Sequence, residues 1–460
     1  MAHQADTLGL PGISALVLGL ARSGAGVASL LRRHGFAVRA LDAKPRAALA
    51  AAARLEEEGV ECRFGTQDPA ALAGMDFLVV SPGVPAAHPL LAAARARRVP
   101  VLSELEVAAR FLRGPVLAVT GTNGKTTTAT WLAHLVAAAG APVHLAGNVG
   151  TALSEDADHL APGTFTVLEV SSFQLEHIER FRPDAAAVLN LTPDHLDRYP
   201  GMAEYVAAKA RIFENQRPGD LAVLNARDPG AQGLASRVRA RLASFDRRGP
   251  VRHGAGVEGS RIALFRDGQA APVLEAARLA LPGPHNLENA LAALALTLPW
   301  PFDPAALARG LADFAPLPHR LEPCGEVRGV RFVNDSKATN VDSMEKALQS
   351  FEVPLHLIAG GHDKQGDFES VAGLVRERVK SLLLIGEAAE RIAHAYPFAA
   401  AVRCATLEEA VAEGLRRAAP GEVVLLSPGC ASYDMFRDYE ERGDRFRAAA
   451  AALGARRAAP

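Results

Sequence analysis

Val116-Leu117-Ala118-Val119-Thr120-Gly121-Thr122-Asn123-Gly124-Lys125-Thr126-Thr127-Thr128 is an apolar run that breaks into a glycine-bounded turn. Four apolar residues without polar alternation suit a strand buried on both faces of a parallel sheet. Gly121 and Gly124 bracket the turn, Lys125 follows at once, and residues 126–139 predict a helix. Backbone N–H groups at such a helix start meet phosphate oxygens at the positive end of the macrodipole. The lysine adds a full charge, and Thr126 offers a hydroxyl to magnesium. The turn has the short form G-x-x-G-K-T, since Val119 stands where the longer pattern has its first glycine. A glycine-rich turn without ligand is the alternative; Gly-Lys-Thr after a buried strand favours a nucleoside triphosphate site.

A chain of 460 residues exceeds one hydrophobic core. Domains of about 100–200 residues would number two to four here, and three is the expectation. A hydrophobic fraction of 49%, 22% charged residues and a formal net charge of -1 suit a soluble globular protein. They give no electrostatic reason for nucleic acid or an anionic membrane as partner. Cys62, Cys324, Cys404 and Cys430 lack C-x-x-C spacing, which argues against a disulfide framework or structural zinc and fits a reducing cytoplasm. The apolar residues 15–20 have no Lys or Arg before them, unlike a secretory leader, and no run reaches the ~18–20 residues of a membrane span.

Upstream of the loop, residues 15–18 read as a strand, followed by Gly19-Leu20-Ala21-Arg22-Ser23-Gly24 and a helix over 25–34. This is a Rossmann-like opening in which Ala21 replaces the middle glycine and Asp42 ends the second strand. A nicotinamide cofactor, a ligand-free turn and a different nucleotide-like group are all open on these residues. Residues 77–80 run into Ser81-Pro82-Gly83, a turn at the ligand-binding end of a parallel strand or a proline-stiffened connection. Residues 99–102 predict a last short strand, and 103–110 a capped helix.

Downstream, an apolar strand over 165–168 delivers Glu169, a carboxylate placed to hold magnesium beside a phosphate loop. Ser171 and Gln174 follow with hydrogen-bonding groups suited to a substrate. His195 lies past the strand 185–189 among polar residues and is read as a site residue. Lys209, inside a helix predicted over 202–214, reads as a surface lysine on spacing alone. Arg261 to Leu274 predicts a hairpin turning at Asp267-Gly268. Pro282 stops the chain before a helix over 287–298 that Asn286 caps, leaving Asn289 surplus to the cap. A stiff linker from Pro316 to Arg320 then leads to strands at 330–333, 355–359, 382–385 and 423–426, a second α/β sheet. Residues 334–340, 360–364 and 427–432 collect polar groups at three of its strand ends, which suggests a ligand face.

Thr-Gly-Thr-Asn-Gly-Lys-Thr-Thr at 120–127, Ser-Ser-Phe-Gln-Leu-Glu at 171–176, Asn-Asp-Ser-Lys-Ala-Thr-Asn at 334–340 and the segment 427–436 together resemble the Mur ligases, in particular the members that add D-glutamate. The resemblance spans nearly the whole chain. It implies an α/β enzyme of three domains: a Rossmann-like domain over 1–103 for a uridine diphosphate substrate, a P-loop-type ATPase domain over 104–313, and a Rossmann-like α/β domain over 314–460 for the amino acid. The implied reaction phosphorylates the terminal carboxylate of UDP-N-acetylmuramoyl-L-alanine with ATP, and the amine of D-glutamate then attacks the acyl phosphate. By the same resemblance Gly121, Thr122, Asn123, Gly124, Lys125, Thr126 and Thr127 hold ATP phosphates, with Asn289, Arg320 and Asp335 as further ATP contacts. Two magnesium ions are implied, with Thr126 serving one, and Glu169, His195 and a carbamylated Lys209 the other. Arg22, Ser23, Asp42, Ser81 and Gly83 bind the uridine diphosphate portion, and Asn148, Ser171 and Gln174 the muramoyl-alanine end. Thr339, Lys364, Ser432 and Tyr439 hold D-glutamate, Tyr439 standing where the family has phenylalanine. A cytoplasmic monomer is expected. A folylpolyglutamate synthase, a nicotinamide-dependent oxidoreductase and a non-catalytic nucleotide-binding module are the alternatives.

Overall fold

The computed structural model describes residues 8–456 except 197, 282 and 316. Pro282 and Pro316, read above as a chain stop and a linker residue, thus lie outside the described residues. Three sheets form, and each follows from runs of apolar strands separated by helices.

The first sheet contains β1 (Ser14–Leu18), β2 (Ala37–Asp42), β3 (Glu61–Phe64), β4 (Phe77–Val80) and β5 (Val101–Ser103), all parallel in the order β3-β2-β1-β4-β5. The order reverses between β1 and β4, which opens a crevice at the carboxyl ends of those two strands. The second sheet holds β6 (Val116–Thr120), β7 (Val143–Gly147), β8 (Phe165–Glu169), β9 (Ala185–Val188), β10 (Leu221–Asn225), β11 (Arg241–Asp246), β12 (Gly254–Glu258), β13 (Arg261–Arg266) and β14 (Gln269–Glu275). Their order is β14-β13-β12-β11-β10-β9-β6-β8-β7, with β13 antiparallel to its neighbours β12 and β14. Every residue of β6 is buried, as its unbroken apolar run predicts. The β13–β14 hairpin turns at Asp267 and Gly268, both at positive φ (51° and 87°), the backbone of a two-residue turn matched to strand twist.

The third sheet holds β15 (Glu322–Val327), β16 (Val330–Asn334), β17 (Leu355–Gly360), β18 (Val379–Ile385), β19 (Ala401–Arg403) and β20 (Val423–Leu426) in the order β15-β16-β20-β17-β18-β19, parallel but for the β15–β16 pair. The chain forms two compact bodies: residues 8–191, 198–281 and 286–314 carry the first two sheets, and the third lies in the other. Residues 192–196 and 283–285 group with that second body.

Within the first body, the helix Glu104–Ala109 joins the first two sheets. Ser103 caps it, its Oγ accepting the Glu106 N–H at 3.2 Å, and the Ser103 N–H donates to the His177 carbonyl at 2.8 Å. The Glu104 carboxylate accepts the Ser154 N–H at 2.8 Å. Glu106 accepts three consecutive amides, of Glu179, Arg180 and Phe181, at 2.8, 3.0 and 2.8 Å, and the Arg110 Nε at 2.9 Å. Both carboxylates are fully buried, and burial raises the Glu104 pKa.

Two helix starts differ from the sequence reading. The first helix runs Arg22–Arg33, three residues ahead of its predicted start, because Ser23 and Gly24 are weak helix formers that hide its first turn. The helix predicted from 287 begins at Pro284, whose missing N–H costs nothing at a first helical position, so Asn286 lies inside the first turn and is not its cap.

Candidate active site

β6 delivers the loop onto the helix Lys125–Ala138. Gly121 and Gly124 have φ of 148° and 81°, which L side chains rarely adopt. A Cβ on Gly124 would lie 2.3 Å from the Asn289 Oδ1, so the loop rests directly on Asn289. Asn289 Oδ1 also accepts the Thr128 hydroxyl at 3.2 Å. Gly124 occupies the cap position and brings no side chain to the first amides of the helix. Those amides have no intrahelical acceptor, which makes the turn an anion cradle. The Lys125 Nζ donates to the carbonyls of Gly121 and Thr122 at 3.0 and 2.7 Å. Asn190, at the end of β9, clamps the loop: its carbonyl accepts Thr122 N–H at 2.9 Å and its Oδ1 accepts Asn123 N–H at 2.8 Å. Sequence reading gave Asn190 no role; its signal was a polar residue directly after a buried strand.

Glu169 ends β8, whose Glu169 pairs with Val119 of β6. Its Oε2 accepts the Thr126 hydroxyl at 2.6 Å and its Oε1 accepts the Asn148 amide at 2.9 Å. A hydroxyl and a carboxylate side by side beneath a phosphate cradle are the hard oxygen donors magnesium takes, with waters and phosphate completing its shell. Thr126, Glu169 and Asn148 are thus brought together. Among the described residues no group of three or more His, Cys, Asp or Glu side chains is placed to hold a metal.

Lys209 is not a surface residue. Only 2% exposed, it donates to the Gly121 carbonyl at 2.8 Å, with its Nζ 4.7 Å from the centre of the Tyr205 ring. The Tyr205 hydroxyl stands 3.2 Å from Thr122 Oγ1. Tyr205 and Lys209, four residues apart, share one helix face, and the burial of that face is what the spacing does not reveal. His195 belongs to the second body, at φ 56°, its N–H donating to the side chain of Asp194 at 2.9 Å.

In the first sheet the turns after β1 and β4 meet. Ser81 Oγ donates to the Gly19 carbonyl at 2.8 Å, and a Cβ on Gly24 would lie 1.8 Å from that same carbonyl. Asp42 accepts the N–H groups of Leu20 and Lys44 at 2.7 and 2.8 Å. Arg22 and Ser23 open the adjoining helix, and a Cβ on Gly83 would meet nothing within 4 Å. Ser171 and Gln174 bond each other in a capping box at the start of the helix Ser172–Leu175.

In the second body Asp335 accepts the Ser427 hydroxyl at 2.9 Å and the Leu321 N–H at 3.2 Å. Burial pushes its carboxyl up to about 7, against the pull of those bonds and of Arg320. Arg320 itself lies between His319 and Leu321, both at positive φ (60° and 42°). Lys364 Nζ is 3.8 Å from Asp194, Thr339 N–H donates to the Lys337 carbonyl at 2.8 Å, and Ser432 is buried. The Tyr439 carbonyl accepts the Ser336 hydroxyl at 2.8 Å, and its ring lies beneath Lys337, whose Nζ is 3.6 Å from the ring centre.

Comparison with known proteins matches three consecutive family models: the Mur ligase MurD-like N-terminal domain over residues 13–103, the Mur ligase middle domain over 119–297, and the Mur ligase glutamate ligase domain over 319–430. The UDP-N-acetylmuramoylalanine--D-glutamate ligase of Geobacter metallireducens is 45% identical over 97% of this chain and 98% of its own. The enzyme of that name from Koribacter versatilis is 42% identical over 94% and 96%. Among solved structures, MurC of Thermotoga maritima superposes with a TM-score of 0.60 at 19% identity, covering 95% of this chain and 99% of its own. MurF of Thermotoga maritima in complex with ADP does so with a TM-score of 0.60 at 16% identity, covering 90% and 95%. These two show the shared fold. With three successive domain models and relatives alike from end to end, the chain belongs to the Mur ligase family, with the MurD-like form of its first domain.

Proposed function

We propose that this chain is an ATP-dependent ligase that joins D-glutamate to UDP-N-acetylmuramoyl-L-alanine in the cytoplasmic synthesis of peptidoglycan precursors. The observation that carries this reading is the 45% identity, over nearly the full length of both chains, to a ligase of that name. The division of labour is residues 1–103 for the uridine nucleotide substrate, 104–313 for ATP and 314–460 for the amino acid.

ATP phosphorylates the acceptor carboxylate, the amine of D-glutamate attacks the acyl phosphate, and the tetrahedral intermediate collapses to amide and phosphate. Bringing two anions together is the difficulty, and positioned positive charge is the remedy. Lys125 exchanges its loop carbonyls for phosphate oxygens, while the loop amides and Asn289 fix the triphosphate. Magnesium, when bound, neutralises phosphate charge, and Thr126 and Glu169 are the residues fitted to hold it. Glu169, His195 and Lys209 as a carbamate would hold a second ion; the charged ammonium form of Lys209 only donates and cannot ligate. Arg22, Ser23, Asp42, Ser81 and Gly83 bind the uridine diphosphate, Asn148, Ser171 and Gln174 the muramoyl-alanine end, Arg320 and Asp335 ATP, and Thr339, Lys364, Ser432 and Tyr439 D-glutamate. The working form is a monomer.

Phosphate release across a panel of amino acids tests this reading. Turnover is expected only with UDP-N-acetylmuramoyl-L-alanine, D-glutamate, ATP and magnesium together. Robust turnover with L-glutamate and a folate instead would overturn it. Incubation with carbon-13 carbon dioxide is expected to give a carbamate resonance that Lys209→Ala lacks.

A further inference from the structure

Arg442, on the helix Tyr439–Ala452, has no exposed surface. Its Nε donates to Ser336 Oγ at 3.0 Å and its Nη2 to the Ser336 carbonyl at 2.8 Å. Its Nη1 donates to the carbonyls of Cys430 and Ala431 at 3.2 and 3.3 Å. A Cβ added to Gly361 would lie 3.2 Å from the same Nη1, so the loop after β17 packs against the guanidinium as well. That loop is joined to the next, because His362 and Ala431 exchange backbone hydrogen bonds at 2.9 and 3.0 Å.

All the acceptors named are neutral, and burying a guanidinium among neutral groups is costly. Desolvation lowers its pKa to about 10, which leaves it charged at neutral pH. An apolar residue would fill this space at lower cost if packing were its purpose. What the guanidinium does that no apolar group does is bridge two loops with a planar fork of donors, with the third packed against it and joined through Ala431. Those loops each carry one residue proposed for the amino acid: Thr339 after β16, Lys364 after β17 and Ser432 after β20.

We infer that Arg442 is a positioning residue for the amino-acid substrate, setting the mutual spacing of Thr339, Lys364 and Ser432 by tying their three loops to one buried side chain. The inference rests on the reading of the third domain as the D-glutamate site. Asp335, proposed for ATP, takes its hydrogen bonds from Ser427 and the Leu321 N–H and feels Arg442 only through its charge, so the tie acts on the amino acid more than on the nucleotide.

The test compares Arg442→Lys, Arg442→Met and Ser336→Ala, the last removing the hydroxyl that bonds both Arg442 and the Tyr439 carbonyl while the Arg442 bonds to backbone carbonyls remain. Loss of one or two charge-assisted bonds is expected to raise KM for D-glutamate about tenfold in Ser336→Ala and Arg442→Lys, and further in Arg442→Met. KM for the uridine-linked acceptor is expected to stay within about twofold, which a general loss of fold would not allow. Amide hydrogen exchange should quicken together in 334–340, 360–364 and 427–432. Ser336→Ala and Arg442→Lys proteins that melt as the parent does, yet keep its KM for D-glutamate and its exchange rates, would overturn the inference. A parent without D-glutamate turnover overturns the proposed function instead. The loop tie is then judged on exchange alone, where unchanged rates in both variants reject it.

Discussion

Lys125 bonds carbonyls of its own loop, Gly121 and Thr122, so a bound phosphate must offer it better acceptors. Charged phosphate oxygens do so, since they set a full negative charge against the ammonium where a carbonyl offers only a dipole. Lys125→Ala is expected to lower kcat about 10²–10³-fold, measured as phosphate release. Asp335 gives a prediction about pH. Its folded pKa of about 7 lies above the ordinary 3.8, so the proton is bound more tightly in the folded state. Stability from the neutral carboxyl is complete below the unfolded value and is lost as pH rises through about 7. Asp335→Asn removes that dependence. Its melting temperature relative to the parent is therefore expected to climb between pH 4 and 8, and a constant difference would contradict the burial argument. Glu169 was legible in the sequence because an acid at the end of a buried strand has few other uses. Lys209 was not, because spacing alone does not say which face of its helix turns inward, and burial with Tyr205 decides that.

At the scale of elements, the strand-loop-helix unit from β6 to Ala138 depends on one backbone conformation. Gly124 has φ 81°, and any side chain there meets Asn289. Gly124→Ala is expected to cost more than about 1 kcal/mol in denaturant unfolding, since an incompatible φ adds to the clash. It should also abolish phosphate release. A variant as stable as the parent would mean that Asn289 moves aside freely. The parallel strands were readable from continuous apolar runs, as in β6, β8 and β20, and the β13–β14 hairpin from Asp267-Gly268. Strands without such a run or turn were not. β3 reads Glu-Cys-Arg-Phe, and β15 contains Pro323 and Gly325, where the register slips. Such residues are tolerated only because a margin strand bonds on one side. Pattern therefore located the strands with continuous apolar runs or a clear turn, and pairing supplied the others, β11 and β12 inside the second sheet among them.

At the scale of the whole molecule, the first two sheets are pinned by Glu104 and Glu106 on one short helix. Glu106→Gln places an amide N–H₂ where backbone N–H groups already point. The mismatch is expected to cost about 1–3 kcal/mol, read as a lower denaturation midpoint. An unchanged midpoint would show that water replaces the lost acceptor. The order of strands in the second sheet has a consequence for the chain's birth on the ribosome. β6 stands inside the sheet, and β9 to β14 are added outward one by one, each against a strand already made. Only β7 must wait, since its single partner β8 is synthesised after it. A chain that emerges slowly can thus lay down most of this sheet without recalling a distant segment, keeping open strand edges few and brief during synthesis.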